Sequence, residues 1–169
     1  MELYLLRHGE AGKRMPVSIK DQERSLTASG KEEIEEVGKA MADLEYEFDL
    51  IATSPLVRAR DTASIVNKAL DRKTEPEEWS ELSPEGSREA LYRRLAKLRP
   101  DASLLCVGHE PYLTTVISEV TQRGDGSSEG FRIVLKKGGL AKLSLTTFSP
   151  RASGELRWLL TPKQIRKMT

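Results

Sequence analysis

The sequence contains very little cysteine, with only Cys106 in 169 residues, and this excludes an internal disulfide. It also lacks an apolar run of about 18 residues, the length that a membrane-spanning helix needs. The N-terminus shows no basic start, apolar middle and small-residue cleavage site, so we expect no signal peptide. Together these absences predict a cytoplasmic protein with no membrane segment.

The sequence has almost no excess of charge, because 27 Lys and Arg residues stand against 26 Asp and Glu residues. A nucleic-acid-binding domain would normally be strongly basic, so we expect no nucleic-acid partner. The chain also lacks the Cys–His spacing that is typical of zinc sites and has no aspartate-rich cluster. We therefore predict no metal and no cofactor.

Buried-strand patterns alternate with helical periodicity through most of the chain. Strands are predicted at 3–6, 49–53 and 102–107, with a short strand after Lys73 and a hairpin formed by the last two strands before residue 160. Helices are predicted after N-caps at Thr27 and Ser54, over 87–99, and from Pro111. The Gly- and Ser-rich segment 122–130 is expected to be mobile. This alternation predicts a mainly parallel sheet covered by helices on both faces, in a single domain spanning 1–169.

Polar residues follow three of the predicted strands. Arg7 and His8 follow the first strand, Arg58 lies just beyond the second, and His109 follows the third. The carboxyl ends of parallel strands meet at one edge of a sheet, so we expect both histidines of the chain to share one site with two arginines. Arginine side chains beside a helix N-terminus suit a tetrahedral oxyanion, and we expect phosphate or sulfate to bind there.

This set of residues permits phosphoryl transfer without a metal. A neutral imidazole can attack phosphorus, so His8 is the predicted nucleophile. Arg7, Arg58 and a protonated His109 would stabilise the phosphoryl oxygens, and water would then hydrolyse the phosphohistidine intermediate. Activity should fall in acid as His8 becomes protonated, near the ordinary histidine pKa of about 6.5. The general acid for the leaving group remains open.

Three motifs in order resemble the signature stretches of the histidine phosphatase superfamily, which includes the phosphoglycerate mutases. They are LRHGEA at 6–11, SPLVRA at 54–59 and VGHEP at 107–111, and RSLTASG at 24–30 resembles the segment that follows the first motif in that family. The resemblance implies a phosphoglycerate mutase-like, three-layer α/β/α sandwich with a mixed sheet. It also implies that His8 is the phosphoacceptor and that Arg7, Arg58 and His109 complete the phosphate site.

The chain resembles a minimal member of that superfamily without cap insertions, because only a strand-loop and one helix fit between Arg58 and His109. It is most similar to the SixA-type phosphohistidine phosphatases. That resemblance implies a phosphorylated substrate, with a histidine-phosphorylated protein as the favoured partner. A small-molecule phosphomonoesterase and a non-catalytic phosphate-binding module are the alternative interpretations.

Further site residues follow from the same resemblance. Larger members of the superfamily use a glutamate after the second motif as the general acid, and Glu81 stands in the comparable place here. A solvated loop carboxylate is the alternative interpretation of Glu81, and Asp21 is the next candidate for the acid. Gly9 and Arg24 complete the predicted substrate-binding set, although Arg24 could instead be exposed to solvent.

Overall fold

A single sheet of six strands organises the parts of the chain that the computed structural model describes, residues 1–12, 21–122, 133–148 and 152–169. The predicted mobile segment therefore lies outside the described residues from position 123 onward. The strands, in chain order, are β1 (Glu2–Arg7), β2 (Leu50–Thr53), β3 (Glu77–Glu78), β4 (Ser103–Gly108), β5 (Leu140–Thr147) and β6 (Ser153–Leu160).

The sheet is mixed, with strand order β3-β2-β4-β1-β5-β6. Parallel pairing joins β3 to β2, β2 to β4 and β4 to β1, whereas β5 runs antiparallel to β1 and β6 antiparallel to β5. The mainly parallel sheet and the antiparallel pairing of the last two strands are thus confirmed. Because β4 lies between β1 and β2, the turns that follow these three strands are neighbours at one edge.

Five helices lie wholly within the described ranges: α1 (Ala28–Asp43), α2 (Val57–Ala69), α3 (Arg88–Leu95), α4 (Tyr112–Thr121) and α5 (Pro162–Ile165). Helix α1 begins as predicted, because the Thr27 hydroxyl accepts a hydrogen bond from the Gly30 backbone N–H at 3.0 Å. This N-cap satisfies one of the four backbone donors that the first turn of a helix leaves free.

Two hydrophobic layers enclose the sheet, since successive side chains of a strand point to opposite faces. Leu3 and Leu5 of β1 pack in the layer that α3 and α4 cover. Tyr4 and Leu6 pack in the layer that α1, α2 and α5 cover. The predicted three-layer α/β/α sandwich is therefore confirmed, and its buried strands explain the continuous apolar runs of the sequence.

Three helix boundaries differ from the predictions. In α4, Pro111 is the N-cap and not the first helical residue. Helix α2 has Leu56, not Ser54, as its N-cap, because the first helical hydrogen bonds run from the Ala59 and Arg60 N–H groups to the Leu56 carbonyl oxygen. Helix α3 ends at Leu95 rather than at residue 99, and the chain continues in hydrogen-bonded turns before Pro100.

Two glycines allow the start of α1 to pack closely against the turn after β1. A Cβ atom on Gly30 would lie 2.2 Å from the carbonyl oxygen of Glu10, and one on Gly9 would lie 2.6 Å from a side-chain carbon of Ile34. Neither position can accept a larger residue without moving the backbone or the helix. This packing holds the turn that carries His8 against α1.

Candidate active site

An open cavity of about 970 Å³ lies at the sheet edge where β1, β2 and β4 end. Both histidines and the three arginines of the predicted site line it. The lining residues are Arg7, His8, Asp21, Gln22, Arg24, Pro55, Leu56, Arg58, Ser83, Pro84, Glu85, His109, Glu110 and Lys137.

The two imidazole rings lie side by side at the base of this cavity. Their centroids are 5.0 Å apart, and the ring planes are inclined by 56°. Both side chains are buried, with 7% of His8 and 2% of His109 exposed. Two residues 101 positions apart in the sequence are thereby brought together by the parallel pairing of β1 with β4.

The hydrogen bonds of His8 define its tautomer. Its Nδ1 lies 2.7 Å from the carbonyl oxygen of Gly9, which can only accept, so Nδ1 carries the proton. Its Nε2 accepts a hydrogen bond from Arg58 Nε at 3.3 Å, which leaves this nitrogen without a proton. The Gly9 N–H donates to Thr62 Oγ1, and Thr62 donates to the Arg58 carbonyl oxygen, so the turn is tied to α2.

His109 has a different set of partners. Its Nε2 lies 2.8 Å from the Ser54 hydroxyl oxygen, at the end of β2. Its Nδ1 is buried and has no hydrogen-bond partner among the residues that the structure describes. The Ser-Pro pattern predicts a helix cap at Ser54, and its contact with His109, which joins residues 55 positions apart, has no local signal in the sequence.

The arginines concentrate positive charge around the rings. Arg58 is buried and donates from Nη1 to the Asp21 carbonyl oxygen at 2.7 Å, and its Nη2 pairs with Asp21 Oδ2 at 3.2 Å. Arg24 is mostly buried, pairs with the second oxygen of the same carboxylate at 3.0 Å, and is therefore not the solvent-exposed residue of the alternative interpretation. Arg7 is anchored by a hydrogen bond from Nη1 to the Leu135 carbonyl oxygen at 2.9 Å.

Burial and these cations keep both imidazoles neutral. Desolvation lowers the pKa of His8 to about 4, reinforced by Arg58 and Arg7 and opposed by the hydrogen bond to Gly9. Desolvation likewise lowers the pKa of His109, with further contributions from His8 and Arg58. The expectation of a protonated His109 is therefore wrong for the unliganded protein, because a positive charge would be buried beside other cations.

The structure does not bring Glu81 to the cavity. It lies in the 3₁₀ turn Ser80–Leu82, and its carboxylate pairs with Arg94 of α3 at 3.2 Å. Burial alone would raise the pKa of Glu81, but hydrogen bonds from its own backbone and from Arg94 lower the pKa overall. An ionised carboxylate held by an arginine outside the cavity has no proton to give to a leaving group there.

The carboxylates that do line the cavity are Asp21, Glu85 and Glu110. Asp21 is the second candidate of the sequence analysis, and Glu85 was missed, although its Pro-Glu-Gly context marks a turn beside the predicted site. Glu110 is half-buried, and burial raises the pKa of its carboxyl group, opposed by a hydrogen bond from Thr114 at 2.6 Å.

Gly9 acts through the backbone rather than as part of the cavity wall. Its N–H and its carbonyl oxygen are both used within the protein, by Thr62 and by His8. The wall instead includes Gln22, Pro84 and Lys137, which the sequence analysis did not select.

The described ranges contain no group of three or more His, Cys, Asp or Glu side chains arranged to hold a metal ion. In the same ranges, every helix is too short or too polar to cross a bilayer.

Comparison with known proteins places the chain in a class. The family model of the histidine phosphatase superfamily (branch 1) matches residues 3–84. An uncharacterized protein of Picosynechococcus sp. is 34% identical over 167 residues, covering 96% of this chain and 98% of that protein. A phosphohistidine phosphatase SixA homolog of Haemophilus influenzae is 29% identical over 129 residues, covering 71% of this chain and 77% of that protein.

The fold agrees with this class. The structure of the protein histidine phosphatase SixA complexed with tungstate matches with a TM-score of 0.81 and 23% identity, covering 96% of this chain and 98% of that one. The chain belongs to the histidine phosphatase superfamily. Within that superfamily it is a phosphatase, with a fold similar to that of SixA.

Proposed function

We propose that this protein removes the phosphoryl group from phosphohistidine in a protein substrate, through a covalent intermediate on His8. The observation that carries the proposal is the tautomer of His8, whose Nδ1 donates to the Gly9 carbonyl oxygen and whose Nε2 lone pair is free of a proton beside Arg58. An imidazole fixed in this way is ready to act as a nucleophile.

In the first step His8 Nε2 attacks phosphorus, and the bond between phosphorus and the substrate nitrogen breaks. The departing imidazole leaves with a proton already on its ring or taken from water. Arg7, Arg58 and the N–H of His109 stabilise the charge on the phosphoryl oxygens. The incoming phosphoryl group competes with Asp21 for the Arg58 guanidinium, because Asp21 holds it in the unliganded protein.

In the second step water attacks phosphorus, the bond to His8 Nε2 breaks, and inorganic phosphate leaves. The arginines supply the positive charge that a metal ion would otherwise provide, so the proposed reaction is metal-independent. A cytoplasmic setting belongs to the same proposal and rests on the single, buried Cys106.

The choice of phosphohistidine rests on similarity and on the leaving group. The relative from Haemophilus influenzae is a SixA homolog, and the structural neighbour is a protein histidine phosphatase. Glu81 is turned to Arg94, so it does not supply the acid that an alkoxide leaving group requires. A protonated imidazole is a good leaving group and has little need of such an acid.

A small-molecule phosphomonoesterase is the second candidate, and the volume of the cavity favours it. Sites for small molecules occupy roughly 300–1,000 Å³, and the cavity here has about 970 Å³. Asp21, Glu85 or Glu110 would then have to supply the proton for the leaving group, since these carboxylates line the cavity.

A substrate panel on the purified protein tests both candidates. We expect faster phosphate release from a phosphohistidine protein than from p-nitrophenyl phosphate or phosphoserine, no effect of EDTA, and no turnover by His8→Ala. Acid-labile phosphoenzyme should be trapped in the wild type. Unchanged turnover in His8→Ala would refute the mechanism, and a preference for a monoester would favour the second candidate. Phosphate binding without any phosphoenzyme would indicate a non-catalytic module.

A further inference from the structure

Ser54 carries a buried hydroxyl that joins β2 to the ring of His109. The residue is fully buried, and its Oγ lies 2.8 Å from His109 Nε2. The same oxygen accepts a hydrogen bond from the Leu56 N–H at 3.3 Å. Neither contact involves the nucleophile His8, so among the described residues it is His109 that links the Ser54 hydroxyl to the site.

The number of protons on these groups decides whether Ser54 donates to His109 Nε2 or accepts from it. A serine hydroxyl has one proton, and Leu56 already acts as a donor to the oxygen, so His109 Nε2 is the acceptor that remains for the Ser54 proton. In the reverse arrangement, Nε2 would donate to Ser54, and the serine proton would have no acceptor among the described contacts. That arrangement leaves two buried groups without a partner in the described part of the chain, the serine proton and the Nδ1 lone pair, whereas the first arrangement leaves one, the Nδ1–H.

The direction of this hydrogen bond also decides whether Nδ1 of His109 carries a proton or a lone pair. If Nε2 accepts from Ser54, the proton of the neutral ring lies on Nδ1, which has no other hydrogen-bond partner in the described part of the chain. Nδ1–H can then donate to a phosphoryl oxygen. With the opposite tautomer, Nδ1 would carry a lone pair and could not donate to an anion in the cavity that His109 lines.

We infer that Ser54 is a positioning residue that holds His109 in the tautomer with the proton on Nδ1, so that a neutral imidazole donates to the phosphoryl group. The consequence for catalysis rests on the proposed function, whereas the tautomer itself is a property of the unliganded protein. His8 and His109 thus share the Nδ1–H tautomer but use different nitrogens: His8 uses its unprotonated Nε2 as nucleophile, and His109 uses its Nδ1–H as donor.

The tautomer can be measured directly by ¹⁵N NMR of the imidazole nitrogens at neutral pH. The chain has only two histidines, hence four ring nitrogens, and a His8→Gln variant identifies the pair that belongs to His109. We expect a protonated Nδ1 and an unprotonated Nε2 in His109 of the wild type. A proton on Nε2 would overturn the inference, and this measurement needs no Ser54 variant to fold.

The Ser54→Ala variant tests the cause. We expect the two His109 nitrogen signals to move toward each other as the tautomers mix, and kcat/KM to fall by about 10- to 100-fold. Thr53→Val is the matched control, because Thr53 is also buried at the end of β2 but donates only to the Ser54 carbonyl oxygen. It should keep the wild-type signals and activity.

The outcomes separate this inference from the proposed function. Unchanged His109 signals in Ser54→Ala would show that Ser54 does not set the tautomer, whatever the activity of the protein. Wild-type signals as expected, together with full turnover in His8→Ala, would instead refute the proposed function and leave the tautomer assignment intact.

Discussion

The turns that follow β1 and β4 place the same type of side chain in two different chemical environments. His8 binds a backbone carbonyl oxygen through Nδ1, and its Nε2 lies beside a buried guanidinium. His109, with its ring centroid 5.0 Å away, binds a serine hydroxyl through Nε2. Two identical imidazole rings can therefore have different roles, because each role depends on the atoms that the two ring nitrogens contact.

The two turns also differ in how firmly the tautomer is fixed. A carbonyl oxygen can only accept, so the backbone of Gly9 fixes the proton on His8 whatever the neighbouring side chains are. A hydroxyl can both donate and accept, so the tautomer of His109 depends on a side chain that a single substitution removes. The tautomer of the nucleophile His8 therefore depends on the backbone conformation, whereas the tautomer of the donor His109 depends on the side chain at position 54.

The largest effect should come from removing the two rings one at a time. His8→Ala should reduce kcat by at least about 10⁴-fold and abolish the phosphoenzyme, because the nucleophile is lost. His109→Ala should reduce kcat by about 10²- to 10³-fold while the phosphoenzyme still forms, because one oxyanion donor is lost. Phosphoenzyme labelling with an alkaline detergent quench, which preserves the acid-labile phosphohistidine, measures this difference in both variants.

Equal losses, with no phosphoenzyme in either variant, would contradict the division of roles. A phosphoenzyme in His8→Ala but not in His109→Ala would reverse the roles. Thr53→Val again serves as the control for a general loss of packing at this edge of the sheet.

An intermediate effect should appear in the pH dependence of stability. The pKa of His8 is about 4 in the folded protein against an ordinary value of 6.5, so below pH 6.5 the unfolded chain binds a proton that the folded chain does not. Stability therefore falls as the pH decreases toward 4. At about 1.4 kcal/mol per pKa unit, His8 should account for about 2–3 kcal/mol of that loss between pH 7 and pH 4.5.

Urea unfolding of the wild type and of His8→Gln at these two pH values isolates the contribution of His8. The carboxylates are common to both proteins, so their contributions to the pH dependence of the unfolding free energy cancel. The free energy of unfolding of the variant should fall by about 2–3 kcal/mol less than that of the wild type. A parallel decrease in both proteins would mean that His8 is not held neutral. The acid limb of kcat/KM should likewise lie near pH 4 rather than near the 6.5 expected from the sequence alone.

Local sequence patterns were sufficient to predict the central strands of the sheet and the side chains that meet at their carboxyl ends. Continuous apolar runs predicted β1, β2 and β4, and the polar residues directly after them predicted that His8, Arg58 and His109 meet at one edge. These inferences succeed because the apolar run that marks a buried strand and the polar residues beyond its end lie close together in the sequence.

Contacts between distant residues could not be predicted in this way. Ser54 before a proline has the local pattern of a helix N-cap, and nothing nearby reveals that its hydroxyl binds His109. The ion pairs of Glu81 with Arg94 and of Asp21 with Arg58 could not be predicted from the sequence either, because each depends on how separate elements pack. The lowered pKa of His109 follows from burial, which the sequence does not specify by residue.

The smallest effect should come from Glu81, which belongs to neither turn. Glu81→Gln should change kcat/KM by less than about 3-fold and lower the free energy of unfolding by less than about 1 kcal/mol, because it removes a partly exposed ion pair with Arg94. Steady-state kinetics with phosphoserine and with p-nitrophenyl phosphate provides the measurement. A loss confined to phosphoserine would show that Glu81 protonates poor leaving groups, and the 3₁₀ turn would then have to bring it into the cavity during turnover. A loss of the same size with both substrates would point to the packing of that turn, whose neighbours Ser83 and Glu85 form part of the cavity wall.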